Sequence, residues 1–512
     1  LFLVQRTALY KDLAVNRGSY PAKVIILGLL VAQVLATIQV FLSDVDLYRT
    51  LIAIRDAGYL AIPNQRIMPN LREFGPAFFG GLFFTLSLGS GLSLFSLAAA
   101  WVWDRLLARR KLVLTLFLLP WTGSFLAVNF HGFCPMVTSY FLIIPPLVFV
   151  AALNWMPSKP GQGPWLDTIV LFLPILVLAL VWTPQMDNHL FVDLRDNLLL
   201  SNHLGRKFND FYYAYTLYPA EVFKSLDQKT LKTCNLEGRQ EDSSLRSMER
   251  ELVSCDYLPV AGDVIADLKI AQEGNILTFE HRGKTVLHTT AEEFFINPWA
   301  ELRKFSSKTD RHGFFRHFTF FSLLIGFPLS LYLLLYGLFR LISGLFLHVR
   351  ASSILAATLC LVTGITVLVL FHQSRVRNVE VRDVAQALES ERWHERVAAL
   401  KTIEQRGMEI GGFQAYQHML KSPHIPERYW LAKALGFSRR SETYKDLLAL
   451  LDDPHPNVVS MAFYGLGRRR DSRAVKEILR RIETSDDWYN QWYAYGALRA
   501  LGWKQRRSKP DP

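Results

Sequence analysis

Asp453-Pro454-His455-Pro456-Asn457-Val458-Val459, then Ala462, Gly465-Leu466-Gly467 and Asp471-Ser472-Arg473-Ala474-Val475, is the stretch on which the reading of this chain turns. Its Leu466-Gly467 pair recurs: Leu435-Gly436 lies 31 residues earlier, Leu501-Gly502 lies 35 later, and Ile403 stands 32 before Leu435. A period of this size marks stacked helical hairpins, each too small to bury its apolar face alone. Ala432, Ala434 and Ala462 place small side chains where neighbouring helices approach, while Tyr429, Leu431, Leu435, Val459, Phe463 and Leu466 supply bulk. Residues 380–504 are therefore expected to form an α-solenoid.

Upstream the character changes. Half of the 512 residues are hydrophobic (50%) and only 20% are charged, and the apolar residues gather into long runs within 1–371. A bilayer core requires ~20 mostly apolar helical residues. Seven runs approach this length, at 24–43, 77–103, 112–130, 136–154, 165–183, 318–339 and 352–371. The third and fourth form one apolar stretch interrupted by Asn129-Phe130-His131-Gly132-Phe133-Cys134-Pro135, where polar groups and a helix breaker favour a tight turn. A re-entrant loop there would change the span count and every later orientation. The run at 24–43 is long, with no clear small-residue cleavage site after it, and reads as a retained anchor. Trp101, Trp103, Trp121, Trp155, Trp165 and Trp182 sit near span ends, as interfacial anchors do. The chain opens on Leu1 rather than Met, which points to a fragment, a processed start or an unusual start codon.

The formal net charge of +12 resides largely beside the apolar runs, where Lys and Arg orient a membrane protein, so nucleic acid is not the expected partner. Arg6, Lys11, Arg17 and Lys23, then Arg105, Arg109, Arg110 and Lys111, then Lys159, then Arg340 and Arg350 mark alternate loops as cytoplasmic. With seven spans the N-terminus is cytoplasmic, and both the 184–316 insertion and the repeats face outward. The expected fold is mainly α: a transmembrane region of about five spans at 1–183, a soluble α+β insertion at 184–316, two more spans at 317–371, the repeats at 380–504 and a basic tail at 505–512. The absence of any N-x-S/T sequon fits a bacterial cytoplasmic (inner) membrane protein.

Within the insertion, Phe208, Phe211, Tyr212, Tyr215, Tyr218 and Phe223 recur at helical spacings, as an element packed on its own domain or lying on a membrane or partner. Residues 264–290 predict a β-meander turning at Glu273-Gly274-Asn275 and Arg282-Gly283, followed by a helix near 291–305. Cys234 and Cys255 share this segment and are a candidate disulfide if it faces an oxidising compartment; two unpaired thiols are the alternative.

The repeat motif resembles the HEAT repeats, especially the short bacterial HEAT-like or phycobilin-lyase-type form. That family often places an Arg eight residues before the Gly of its Leu-Gly pair, and Arg396 and Arg428 occupy the place. Val459 and Ala494 interrupt it in the later units. The resemblance implies a helical surface that binds another protein, and implies no chemistry. Trp488, Tyr489, Trp492, Tyr493, Tyr495 and Trp503 crowd the last unit, as partner anchors or as the core of a capping helix. Arg468, Arg469, Arg470, Arg480 and Arg481 make a basic surface suited to an acidic partner or anionic headgroups, or simply a solvated face.

No Walker loop, nucleophile elbow or H-E-x-x-H sequence is present, and no cofactor is expected. His131 and Cys134 are two ligands where zinc needs three or four. The span interiors hold almost no Asp, Glu, Lys or Arg, which disfavours coupled transport. One enzymatic alternative stands beside the scaffold. Ser43-Asp44-Val45-Asp46 after the first span looks like the placement of an acidic residue in the first outer loop of multispan glycosyltransferases that use lipid-linked sugars. Such a carboxylate holds a hard cation or accepts a proton, whereas a helix cap at Asp44 and a solvated Asp46 are the plain reading.

Overall fold

The computed structural model describes residues 2–157, 164–187, 189–237, 243–261, 265–374 and 379–507. The tail expected at 505–512 is thus described only as far as Arg507, and Lys159 lies outside the described residues. From the N-terminus run α1 (Phe2–Asp56), α2 (Phe74–Phe84), α3 (Ser90–Arg105), α4 (Lys111–Asn129), α5 (Pro135–Trp155) and α6 (Pro164–Trp182). A π turn, Thr85–Gly89, joins α2 to α3. The insertion contributes α7 (Leu190–Leu194), α8 (His203–Tyr215), α9 (Leu217–Phe223), β1 (Lys232–Glu237), α10 (Ser243–Ser254), β2 (Tyr257–Pro259), β3 (Leu268–Glu273), β4 (Ile276–His281), β5 (Lys284–Thr290), α11 (Ala291–Ile296) and α12 (Pro298–Thr309). Then follow α13 (Gly313–Phe321), α14 (Phe327–Ser343) and α15 (Val349–Ser374).

Among the described residues six helices are long and apolar enough to cross a membrane. The expected third span also forms a helix, but its apolar part, Leu114–Asn129, is shorter. The break before the fourth is a tight turn: the Asn129 side-chain oxygen accepts from the Cys134 N–H (3.1 Å) and the Thr138 hydroxyl (2.8 Å). The first run differs from expectation. No breaker follows residue 43, so α1 continues to Asp56 and Asp44 lies inside a helix rather than capping one.

The chain divides into two compact units. One contains residues 1–41, 77–190 and 311–370. Its helices approach through small residues, as lipid-embedded helices do: a β-carbon on Gly91 would sit 2.2 Å from the Ser322 hydroxyl, and one on Gly326 would sit 2.7 Å from the Gly91 Cα.

The second unit joins residues 42–76, 191–310 and 371–512. Its sheet has the order β2-β1-β3-β4-β5. The meander β3-β4-β5 is antiparallel and turns at the expected places, where Gly274, Arg282 and Gly283 have positive φ. Strands β1 and β2, absent from the sequence reading, pair parallel. Leu277 and Phe279 of β4 turn into a core completed by Met248, Leu252, Phe294 and Phe305. Cys234 and Cys255 belong to the same core, yet both are free thiols, so the candidate disulfide is not formed.

The C-terminal part is a stack of four helical hairpins: α16 (Val384–Leu388) with α17 (Trp393–Arg406), α18 (Tyr416–Met419) with α19 (Ile425–Leu435), α20 (Ser441–Ala449) with α21 (Pro456–Arg469), and α22 (Val475–Thr484) with α23 (Trp488–Ala500). The second helices, α17, α19, α21 and α23, pack in series. Each is preceded by a repeated side-chain turn that leads into its N-cap residue, Arg392, His424, His455 or Asp487. Ser390, Ser422, Asp453 and Ser485 accept the backbone N–H two residues on. Ion pairs lace the stack: Arg396 pairs with buried Glu427, and Arg428 with Asp453 at 2.6 Å. The arginine series stops at the third hairpin, where Ser460 donates instead to Asn490 (2.8 Å).

Close packing accounts for two of the Leu-Gly glycines: a β-carbon on Gly436 would stand 2.8 Å from the Gly465 Cα and one on Gly467 2.8 Å from the Ala497 Cα, whereas Gly502 has positive φ and open space around it. A β-carbon on the neighbouring Gly465 would stand 2.6 Å from the Ala432 carbonyl oxygen and 3.1 Å from Leu447. Substituting Gly465→Ala is expected to force α19 and α21 apart and lower stability by about 2 kcal/mol. Gly496→Ala, where a β-carbon meets nothing within 4 Å, should be nearly neutral. Thermal unfolding of the purified protein compares them; equal melting temperatures would refute the steric account.

Candidate functional site

A helical stack offers binding residues along the outer face of its second helices, and here that face is covered by other parts of the same chain. The covering begins at Asp193-Leu194-Arg195-Asp196, where α7 runs into a π turn, Arg195–Leu199. Asp196 is buried and accepts from the Trp430 indole N–H (2.8 Å) and from Arg195 (2.6 Å), and Lys401 lies at 3.5 Å. The Arg195 guanidinium in turn lies 3.9 Å from the centre of the Tyr429 ring. Lys401 also reaches Asp193 at 3.2 Å, and the Lys433 ammonium stands 4.3 Å from the Trp430 ring centre. Buried charges persist only when paired and hydrogen-bonded. This cluster meets the condition by combining the insertion with the first two hairpins.

Farther along, α8 meets the third and fourth hairpins through polar groups. Asn209 donates to Asn457 (3.3 Å), and Asp210 lies 3.3 Å from the His455 imidazole. The Tyr213 ring packs edge-on against Tyr489 (4.8 Å), and the Thr216 and Tyr489 hydroxyls are 2.9 Å apart. Burial lowers the His455 pKa, and Asp210 beside it acts in the opposite direction.

The last hairpin holds the first loop as well. The Asn64 side-chain amide donates to the carbonyls of Ile482 (2.7 Å) and Ser485 (3.0 Å), and its backbone N–H donates to Gln491 (2.7 Å). Gln505 pairs with the backbone of Leu60 in both directions. Tyr495 donates to Asp256 (2.5 Å), and Arg507 donates to Tyr59 (2.9 Å) and Glu249 (2.7 Å).

The aromatic residues singled out in the sequence thus have intramolecular roles. Trp488 is buried edge-on against Tyr218 (5.1 Å), Trp492 meets Tyr493 edge-on (4.9 Å) and Trp503 meets Tyr495 edge-on (6.1 Å). The arginines lie at helix ends. Arg468 stands over the Phe437 ring (5.0 Å), Arg469 donates to Thr443 (3.0 Å) and to the Arg440 carbonyl, and exposed Arg470 closes α21 with positive φ. Arg480 and Arg481 are engaged by Glu477, whose carboxyl they hold down at about 2 through hydrogen bonds.

The acidic pair separates. Residues two apart on a helix point to opposite sides, and Asp46 is exposed in an ion pair with Arg49 (3.1 Å). Asp44 is 1% exposed, and neither carboxylate oxygen has a hydrogen-bond partner. Tyr218, its hydroxyl pushed up to about 12 chiefly by burial, shares this corner with Asn70 and Asp44. Among the described residues no group of three or more His, Cys, Asp or Glu is arranged to hold a metal ion, and His131 and Cys134 remain in their turn.

Similarity to known proteins is confined to the stack. Residues 414–501 match the family model for HEAT repeats. The match covers the second to fourth hairpins, including α19, α21 and α23. No curated protein and no solved structure matches the chain.

Sequence reading missed Asp196, Arg195, Trp430 and Asn64, the residues that hold the covering segments to the HEAT repeats. The available signal was a Tyr429-Trp430 pair just before Ala432 and Ala434, and an acidic-basic cluster just beyond a span. Replacing Asp196 with Ala would leave Arg195 and the Trp430 N–H without their acceptor and is expected to cost about 3 kcal/mol. Hydrogen exchange in 190–218 should accelerate. Unchanged protection across α7 and α8 would show that the cluster does not hold the cover.

Proposed function

We propose that the protein is a scaffold or assembly factor of a bacterial cytoplasmic membrane, anchored by its apolar helices and using a short HEAT-like solenoid to hold another protein. The observation that carries this reading is the HEAT-repeat match to a stack built into a larger folded unit. HEAT repeats commonly serve protein binding. The covered face directs the partner to the opposite side and its helix-end turns, where Arg439, Arg468 and Arg470 are exposed. Such an edge suits an acidic protein surface.

Chain connectivity supports an outward-facing unit. Segments 42–76, 191–310 and 371–512 pack together and so belong on one side of a membrane. The chain must then cross an even number of times between consecutive segments. Four crossings between 76 and 191 require α4 to cross despite its short apolar part, along with α2–α3, α5 and α6. Two more, α13–α14 and α15, return the chain to the same side. Seven crossings with basic loops inward leave the unit outside.

Deleting the repeats would strip the cover from Asp196 and Asn64, so the informative variants are point changes. In spheroplasts treated with a membrane-impermeant crosslinker, the wild-type chain should capture a discrete protein set, and Arg468→Glu with Arg470→Glu should lose it several-fold. A set unchanged by charge reversal would overturn docking at the arginine edge. Capture only by a membrane-permeant reagent would overturn the outward placement.

The orphan carboxylate of Asp44 favours one second reading, transfer from a lipid-linked sugar with Asp44 as the acting group. Asp46, exposed and ion-paired, takes no part in it. Under this reading Asp44→Asn abolishes sugar transfer in isolated membranes while Asp46→Asn leaves it intact. Equal behaviour of the two variants would reject it.

A further inference from the structure

We propose that α8 is an interfacial helix whose outer face docks on the lipid bilayer, an inference that rests on the membrane-anchored reading above. The helix is amphipathic in the opposite sense to a helix packed on its own domain. Gly205 and Asn209 are buried, with Asn209 held by Asn457, and Asp210 reaches His455. Leu204, Phe208 and Tyr212, four residues apart and so on one stripe, are instead 65%, 62% and 48% exposed. Polar groups face protein and the apolar stripe faces out.

Two observations name the occupant. The exposed charge that flanks the stripe, on Lys207, is basic, while Arg206 and Asp210 lie across the helix from it and Asp210 is directed to His455. Aromatic rings with cationic neighbours are the composition of helices that lie among anionic headgroups. The second observation is continuity. The chain leaves the apolar helix α6 at Trp182 and reaches Leu204 through short helical turns on which Met186 and Phe191 are also exposed, at 54% and 51%. An apolar surface therefore recurs along the chain from the end of a membrane-length helix to the α8 stripe. A protein partner of the arginine edge would be acidic and polar, which this stripe does not match.

The test places one fluorophore at a time on the full chain. Cys234, Cys255 and Cys360 are buried, so replacing the half-buried Cys134 with Ser leaves little background for labelling. Single Leu204→Cys, Phe208→Cys and Arg206→Cys variants carry an NBD group after reconstitution into phosphatidylethanolamine/phosphatidylglycerol vesicles, and Leu180→Cys, exposed near the end of the membrane-length helix α6, serves as the span control. Positions 204 and 208 should emit blue-shifted light and lose most of it to lipids bearing a nitroxide near the headgroup, whereas position 206, across the helix, should lose much less. If 204 and 208 escape quenching while 180 is quenched, the interfacial inference falls and the anchored reading stands. If 180 also escapes, the anchored reading itself falls. A blue shift at 208 without lipid quenching would mean that protein covers the stripe, which equally overturns the proposal.

Discussion

The Asp196 carboxylate is the point on which the second unit depends. Removing it from water is unfavourable by several kcal/mol, and the cost is offset only because Trp430 and Lys401 converge on it from elements distant in sequence and meet Arg195, its chain neighbour, there. The acceptor belongs to the insertion and two of its donors belong to the repeats. Neither partner could bury its share of charge alone. The same logic recurs at Tyr495 with Asp256 and at Asn64 with the Ile482 and Ser485 carbonyls. The insertion, the first loop and the HEAT repeats are therefore one folded body, although the sequence presents them as separate segments.

Within the repeats the constraint is spacing. Backbones approach closely enough at Gly436, Gly465 and Gly467 that a methyl group would meet a neighbouring helix, and turns closed by the side chains of residues 390, 422, 453 and 485 lead into each second helix. Where the third of these is Asp453 rather than Ser, its carboxylate serves two purposes. It closes the turn before α21 and neutralises Arg428, replacing the helix-borne Glu427 that serves Arg396 one hairpin earlier. The irregular arginine series thus reflects a change in where the counter-charge is carried.

What was legible in the sequence follows from this physics. Close helix packing excludes side chains at regular intervals, so the Leu-Gly period and the hairpins could be read directly. Long apolar runs and the Gly274 and Gly283 turns were equally plain, because local chemistry dictates them. Asp196 was not legible, since its indole donor lies 234 residues away and nothing local distinguishes it from a solvated loop acid. The Asp44-Val45-Asp46 pair comes apart for a simple reason. Adjacent in text, the two acids project from opposite sides of a helix that does not stop where the hydrophobicity does. The aromatic residues of the last hairpin were recognised as a concentration of binding area, but composition cannot say whether that area meets another chain or its own. The parallel pairing of β1 and β2, set by residues on either side of α10, left no local trace.

The clasp between Leu60 and Gln505 joins residues 445 apart in sequence, which sets an order of events during synthesis. A ribosome must release Gln505 before the first loop finds its permanent neighbours. Until then Asn64, Asp196 and Asp256 stand without their partners, and non-local contacts of this kind form slowly because loop closure precedes reward. Large proteins in that condition expose sticky surface and call on chaperones. A nascent chain halted before the fourth hairpin would leave its first loop with nothing to hold it.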